Sequence, residues 1–193
     1  MAVAVTDSAG SPSIADCRRV ELADPDVVDS AQPYHAGLEL PARDAKKTVD
    51  RLVAAVERFS RRSVGDLLAQ YGGSGRVVGI GLVVGSDVDP AAIANDHIRA
   101  HASEGRLFRR VIEEASAERG LAAEVTVEKR LYAEAAKRLG KPEPQLKNEI
   151  NALGRGLERP WRAEEKTAAL AAWMVLASRG QRAESTSRRA RGG

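Results

Sequence analysis

The run RVVGIGLVVGS, Arg76 to Ser86, carries no charge after its first residue and sets valine and isoleucine around three glycines. Such residues favour extended chain, and an unbroken apolar run of this length reads as a central strand covered on both faces. A strand of that kind needs helices beside it, and the flanking sequence supplies them. From Pro41 to Tyr71 the apolar positions Val49, Leu52, Val53, Val56, Phe59, Val64, Leu67 and Leu68 recur at helical spacing, giving one long or two abutting helices. The Gly72-Gly-Ser-Gly75 stretch stops them, as glycine past a helix end does. On the other side Ser86-Asp-Val-Asp-Pro90 breaks the strand, and Ile98, Leu107, Phe108, Val111, Ile112 and Ala115 spell a second helix ending at Gly120.

Working outward, Ala2–Val5 and Ile14–Leu22 are short apolar or alternating runs separated by the turn formers Ser8-Ala-Gly-Ser-Pro-Ser13, and read as an antiparallel hairpin. Asp24 to His35 is polar and interrupted by proline, an irregular connection. Ala123–Glu128 alternates as a strand. Leu131–Leu139 is helical, a second amphipathic turn carries Leu146, Ile150, Leu153 and Leu157, and the run WRAEEKTAALAAWMVLA, Trp161 to Ala177, forms a last, strongly apolar helix. The expected fold class is therefore α/β, a mixed sheet with an N-terminal antiparallel hairpin and helices on both faces.

A chain of 193 residues suits one domain, expected over 1–179, followed by a basic tail over 180–193 that lacks apolar residues and is expected to be disordered. Hydrophobic residues at 43% and charged residues at 30% place it among globular proteins rather than membrane or disordered ones. No window reaches the ~18 apolar residues of a membrane span, and the N-terminus lacks the basic and apolar regions of a signal peptide. The expectation is a cytoplasmic protein without membrane partners. The lone Cys17 excludes internal disulfides and all-cysteine zinc sites, and reads as a small strand residue. A formal net charge of +3 permits nucleic acid as a partner without demanding it.

This order of elements resembles the ribonuclease H-like superfamily, and within it the bacterial Holliday-junction resolvases. The resemblance spans Ala2 to about Ser178 and rests on element order and the placement of a few acids. It implies a ribonuclease H-like fold and a divalent-metal-dependent nuclease acting on structured nucleic acid. Asp7 ends the first strand run, Asp87 follows the buried strand, and Glu164 and Glu165 open the last helix. By resemblance Asp7, Glu164 and Glu165 would be catalytic, and Asp7, Asp87 and Glu165 would hold Mg2+ or Mn2+, with Glu104 of the following helix able to replace the acid that the buried strand lacks. Two such ions about 4 Å apart need several carboxylates to balance them. Glu165 shares a helix face with Ala169 and Trp173 and is the one expected to point inward. The same fold without the activity, as a scaffold or nucleic-acid-binding protein, is the alternative, and a homodimer stays open.

The same acids have plain structural readings. Asp7 beside Ser8 suits a hairpin turn, Asp87 and Asp89 suit a loop and cap, and Glu164 and Glu165 suit the dipole of a first helical turn. A rival constellation lies in HIRAHASEGRLF, where His97, His101 and Glu104 share one helix face. That spacing can hold a transition metal, and equally suits hydrogen-bonding histidines at a helix start. Among basic residues, Lys129 and Arg130 just past a strand are expected phosphate contacts, joined by His101 and, in the tail, by Arg188 and Arg189. Trp161 and Trp173 read as core residues.

Overall fold

The structure, a computed structural model, describes the backbone of residues 1–8, 11–71 and 76–191, and their side chains apart from 7, 8 and 180–191. Its elements are strands β1 (Ala2–Ser8), β2 (Ser11–Arg18), β3 (Ile80–Val84) and β4 (Ala123–Val127), and helices α1 (Ala42–Gln70), α2 (Asp96–Ala117), α3 (Leu131–Leu139), α4 (Glu143–Leu153) and α5 (Ala163–Arg191). The α/β class follows. In place of one mixed sheet, the strands pair as two two-stranded sheets, an antiparallel hairpin β1–β2 and a parallel pair β3–β4. Where length suggests a single core, contacts gather into two compact units. One comprises 1–19, 78–83 and 123–193, the other 20–77 and 84–122.

In the first unit the hairpin contains an irregularity that decides its inner face. Ala4 pairs with Asp16 but Val5 pairs with Ile14, so Ala15 is the extra residue of a bulge. That shift sets Ile14 opposite Val5 and Cys17 opposite Val3, and Val3, Val5 and Ile14 pack together on the core of this unit. The core itself is α5, which buries Ala169, Leu170, Ala171, Trp173, Met174 and Val175 almost all round, against Leu131 and Ala135 of α3 and Leu146 and Ile150 of α4. Trp161 leads into α5, donating its indole N–H to the Ile150 carbonyl at 2.8 Å.

The glycines of the apolar run serve this packing. A Cβ on Gly81 would stand 2.5 Å from the Ala171 carbonyl oxygen, so glycine is what lets β3 meet the backbone of α5. The strand is shorter than its sequence run, five residues, all half-buried rather than fully covered. The α5 helix continues through Arg191, over a tail whose composition predicts disorder. Its alanines, arginines, glutamine and glutamate are all good helix formers.

The second unit is α1 packed on α2. Leu52, Val56, Leu107 and Val111 are buried there, with Tyr34, Val53 and Phe108 around them. The α1 segment is one continuous helix. The α2 helix begins where Asn95 accepts a hydrogen bond from the Ile98 N–H at 3.0 Å, an ordinary N-cap. The chain from 20 to 41 has no strand or long helix, yet it is fixed by its own turns. Backbone bonds link Val27 to Asp24, Ser30 to Val27 and Gln32 to Asp29, which takes φ 65°. The Ser30 hydroxyl donates to the Asp24 carbonyl, and the Ser60 hydroxyl of α1 donates to the Leu22 carbonyl at 2.6 Å. No helix among the described residues is long and apolar enough to cross a membrane.

Candidate metal centre

All three histidines of the chain meet in the second unit. His97 and His101, a turn apart on α2, present their rings edge to face at 4.7 Å between centroids. The third ring is His35, brought by the 20–41 segment, 4.7 Å from His97 and 4.2 Å from His101. One nitrogen from each ring can be chosen so that all three lie within 4.8 Å of one another.

Several features bring His35 to this place. Pro33 is fully buried, and Tyr34 packs into the core between α1 and α2, where burial pushes its phenol above the ordinary range. His35 then opens a single 3-10 turn, His35–Gly37. A Cβ on Gly37 would meet Val49 of α1 at 2.8 Å, so the glycine lets this turn lie close on α1.

Glu104 holds the imidazole from behind. Its carboxylate is buried, 8% exposed, and its two oxygens lie 2.8 and 2.9 Å from His35 Nδ1. The His35 backbone N–H also donates to it, at 3.2 Å. A carboxylate accepts only, so Nδ1 carries a proton, and in the neutral ring, the form that binds a metal, the lone pair is on Nε2. That Nε2 atom is buried and finds no hydrogen-bond partner among the described residues. His101 Nδ1 stands 3.9 Å from the other Glu104 oxygen, an ion-pair rather than a hydrogen-bond distance. The His101 side chain is 55% exposed, so the cluster is backed by protein on the His35 side and open to water on the other.

Three imidazoles with a carboxylate behind one of them form a donor set for a borderline transition-metal ion. Tetrahedral zinc, with bonds of about 2.0 to 2.1 Å, spaces its donors roughly 3.3 Å apart, so the rings need close by only ~1 to 1.5 Å. Sequence spacing places His97, His101 and Glu104 on one face, and these three do converge. The decisive donor, His35, was not among the expected site residues. The signal for it was the histidine count alone.

The acids expected from the resemblance fall elsewhere. Glu165 is buried, turned inward as the 165/169/173 face requires, and its carboxylate accepts the Arg162 backbone N–H at 2.9 Å, capping α5. Its neighbour Glu164 is exposed. The Asp7 backbone pairs with Pro12 at the hairpin end, in the same unit as Glu165, and its side chain lies outside the described residues. Asp87 is exposed and, with Glu104, belongs to the second unit.

Of the expected phosphate contacts, Lys129 and Arg130 are exposed, and Arg130 pairs with Glu134 at 3.5 Å. The side chains of Arg188 and Arg189 lie outside the described residues. Elsewhere the basic groups face acids: Arg61 pairs with Glu118, Arg109 with Glu113, and Arg110 with Glu57 and Glu114. Compared with known protein families, with curated proteins and with solved structures, the chain matches none.

Proposed function

We propose that this chain is a transition-metal-binding protein that holds one zinc ion on His35, His97 and His101, with Glu104 fixing His35. The observation that carries the reading is the Nε2 of His35, buried without a partner on a ring that packs edge to face with two further imidazoles. An unsatisfied buried acceptor costs about 1 to 3 kcal/mol, and a metal ion satisfies it. Imidazole donors select zinc, nickel or copper over magnesium, whose preferred partners are oxygens. The test is metal analysis of protein made without a histidine tag, and titration with Co2+, whose visible bands report tetrahedral nitrogen ligation. One equivalent is expected, lost in His35→Ala and in His101→Ala. Substoichiometric metal in the wild-type chain, or equal uptake by those variants, refutes the proposal.

A second reading, a Mg2+- or Mn2+-dependent nuclease of ribonuclease H-like architecture, is favoured by the packing of α5 on β1 in one unit, which joins the elements carrying Glu165 and Asp7. It predicts magnesium-dependent cleavage of branched or hybrid nucleic acid that vanishes in Asp7→Asn. Binding without cleavage, unchanged in that variant, would leave the scaffold alternative in its place.

A further inference from the structure

We infer, resting on the zinc reading, that the fourth coordination place holds water and that this centre hydrolyses small uncharged acyl esters. A structural zinc site is closed by four protein donors, whereas a catalytic one keeps a place open. Here the described residues offer three imidazoles, and both oxygens of the nearby carboxylate are already turned to His35. The open side faces solvent, where His97 and His101 are exposed.

Three neutral ligands leave the full charge of the ion on the site. Water bound in such a site would lose a proton near pH ~7, far more readily than bulk water does. The proton passes to solvent and the hydroxide attacks the ester carbonyl carbon, forming a carbon–oxygen bond. The tetrahedral adduct then expels the alkoxide or phenoxide, which takes a proton from water. Carboxylate and alcohol result, with no oxidant or second substrate beyond water.

The surroundings favour an acyl over a phosphoryl substrate. The α2 arginines nearest the histidines in sequence already have acidic partners, Arg99 in Asp96 and Arg106 in Asp89 at 2.9 Å, which a phosphate would have to displace. Phosphodiester chemistry also commonly uses a pair of metals, and this cluster holds donors for one. Apolar side chains exposed to solvent border both ligand segments in sequence, Ile98 beside His97 and Leu38 and Leu40 beyond His35, and suit an acyl chain.

The experiment compares zinc-loaded, metal-free and His97→Ala full-length protein on p-nitrophenyl acetate and butyrate, with bis(p-nitrophenyl) phosphate as the contrast and zinc content measured on each sample. The expected result is ester hydrolysis at least tenfold faster with zinc than without, falling to the metal-free rate in His97→Ala. One equivalent of zinc with no gain in rate overturns the hydrolase inference and leaves the metal site standing. Faster cleavage of the phosphate diester than of either ester overturns the substrate class. Failure to retain zinc overturns both.

Discussion

Glu104 and His35, 69 positions apart in the chain, are joined three times over, through both carboxylate oxygens to Nδ1 and through the His35 backbone N–H. The carboxylate thereby fixes the ring's tautomer as well as its position. Glu104→Ala strands two partly buried donors, which costs about 1 kcal/mol of stability or somewhat more. It should also weaken zinc binding about 10- to 100-fold, as loss of a carboxylate behind a ligating histidine does. Glu104→Gln keeps an acceptor and should recover much of both. Calorimetric titration and chemical denaturation of the two variants provide the check, and an alanine variant with unchanged zinc affinity would show that the carboxylate does not prepare this ring.

Zinc should stabilise the fold, because the site joins the irregular 20–41 segment to α2 and is absent from the unfolded chain. At free zinc a hundredfold above its dissociation constant, linkage gives about 2.7 kcal/mol. In a thermal scan this is a rise in Tm of several degrees, reversed by a chelator and missing from His35→Ala. Hydrogen exchange should slow in the 20–41 segment on adding zinc. A Tm indifferent to zinc in protein that carries one equivalent would mean that the ion binds the unfolded chain equally well.

How much of this was legible depends on the range of the interaction. Helices α1 to α4 follow from apolar spacing, and His97, His101 and Glu104 from the turn of a single helix, because both are local geometry. The meeting with His35 is not local: it depends on the buried Pro33 and Tyr34, on the turns of the 24–37 segment and on a glycine pressed against Val49. No periodicity encodes that. The bulge at Ala15 was equally hidden, since alternation alone would pair Val5 one residue away from Ile14. The run RVVGIGLVVGS was recognisable as a strand but not as a half-buried one in a two-stranded sheet, because composition does not say how many neighbours a strand finds. For Arg130, the i,i+4 partner Glu134 was visible in the sequence, and a phosphate role was expected where a helical ion pair forms.

Gly81 tests the packing of the first unit. Its hypothetical Cβ meets the Ala171 backbone, which cannot swing aside as a side chain can, so Gly81→Ala must push β3 and α5 apart. The expected loss is about 1 to 3 kcal/mol, the usual effect of overpacking. Gly85, where a Cβ would meet nothing within 4 Å, is the control and should tolerate alanine with little change. Urea denaturation of both variants decides the matter, and equal stability would refute the close approach of strand and helix.

Glu149 gives the first unit a pH dependence of known sign. Burial works to raise its pKa, but Lys141, with Nζ at 2.7 and 2.9 Å, and the Gln145 amide outweigh that and hold the carboxyl below its ordinary range. A group whose pKa is lowered by folding stabilises the protein above its unfolded-state pKa, and the contribution fades as pH falls through the folded-state value. Removing the charge by Glu149→Gln should therefore cost about 1 kcal/mol at pH ~7. The difference between wild type and variant should shrink at pH below the ordinary carboxylate range, where the wild-type carboxyl is itself protonated. Denaturation curves at neutral and strongly acidic pH measure this directly, and a difference that stays constant across the range would show that the Lys141 pair contributes nothing through its charge.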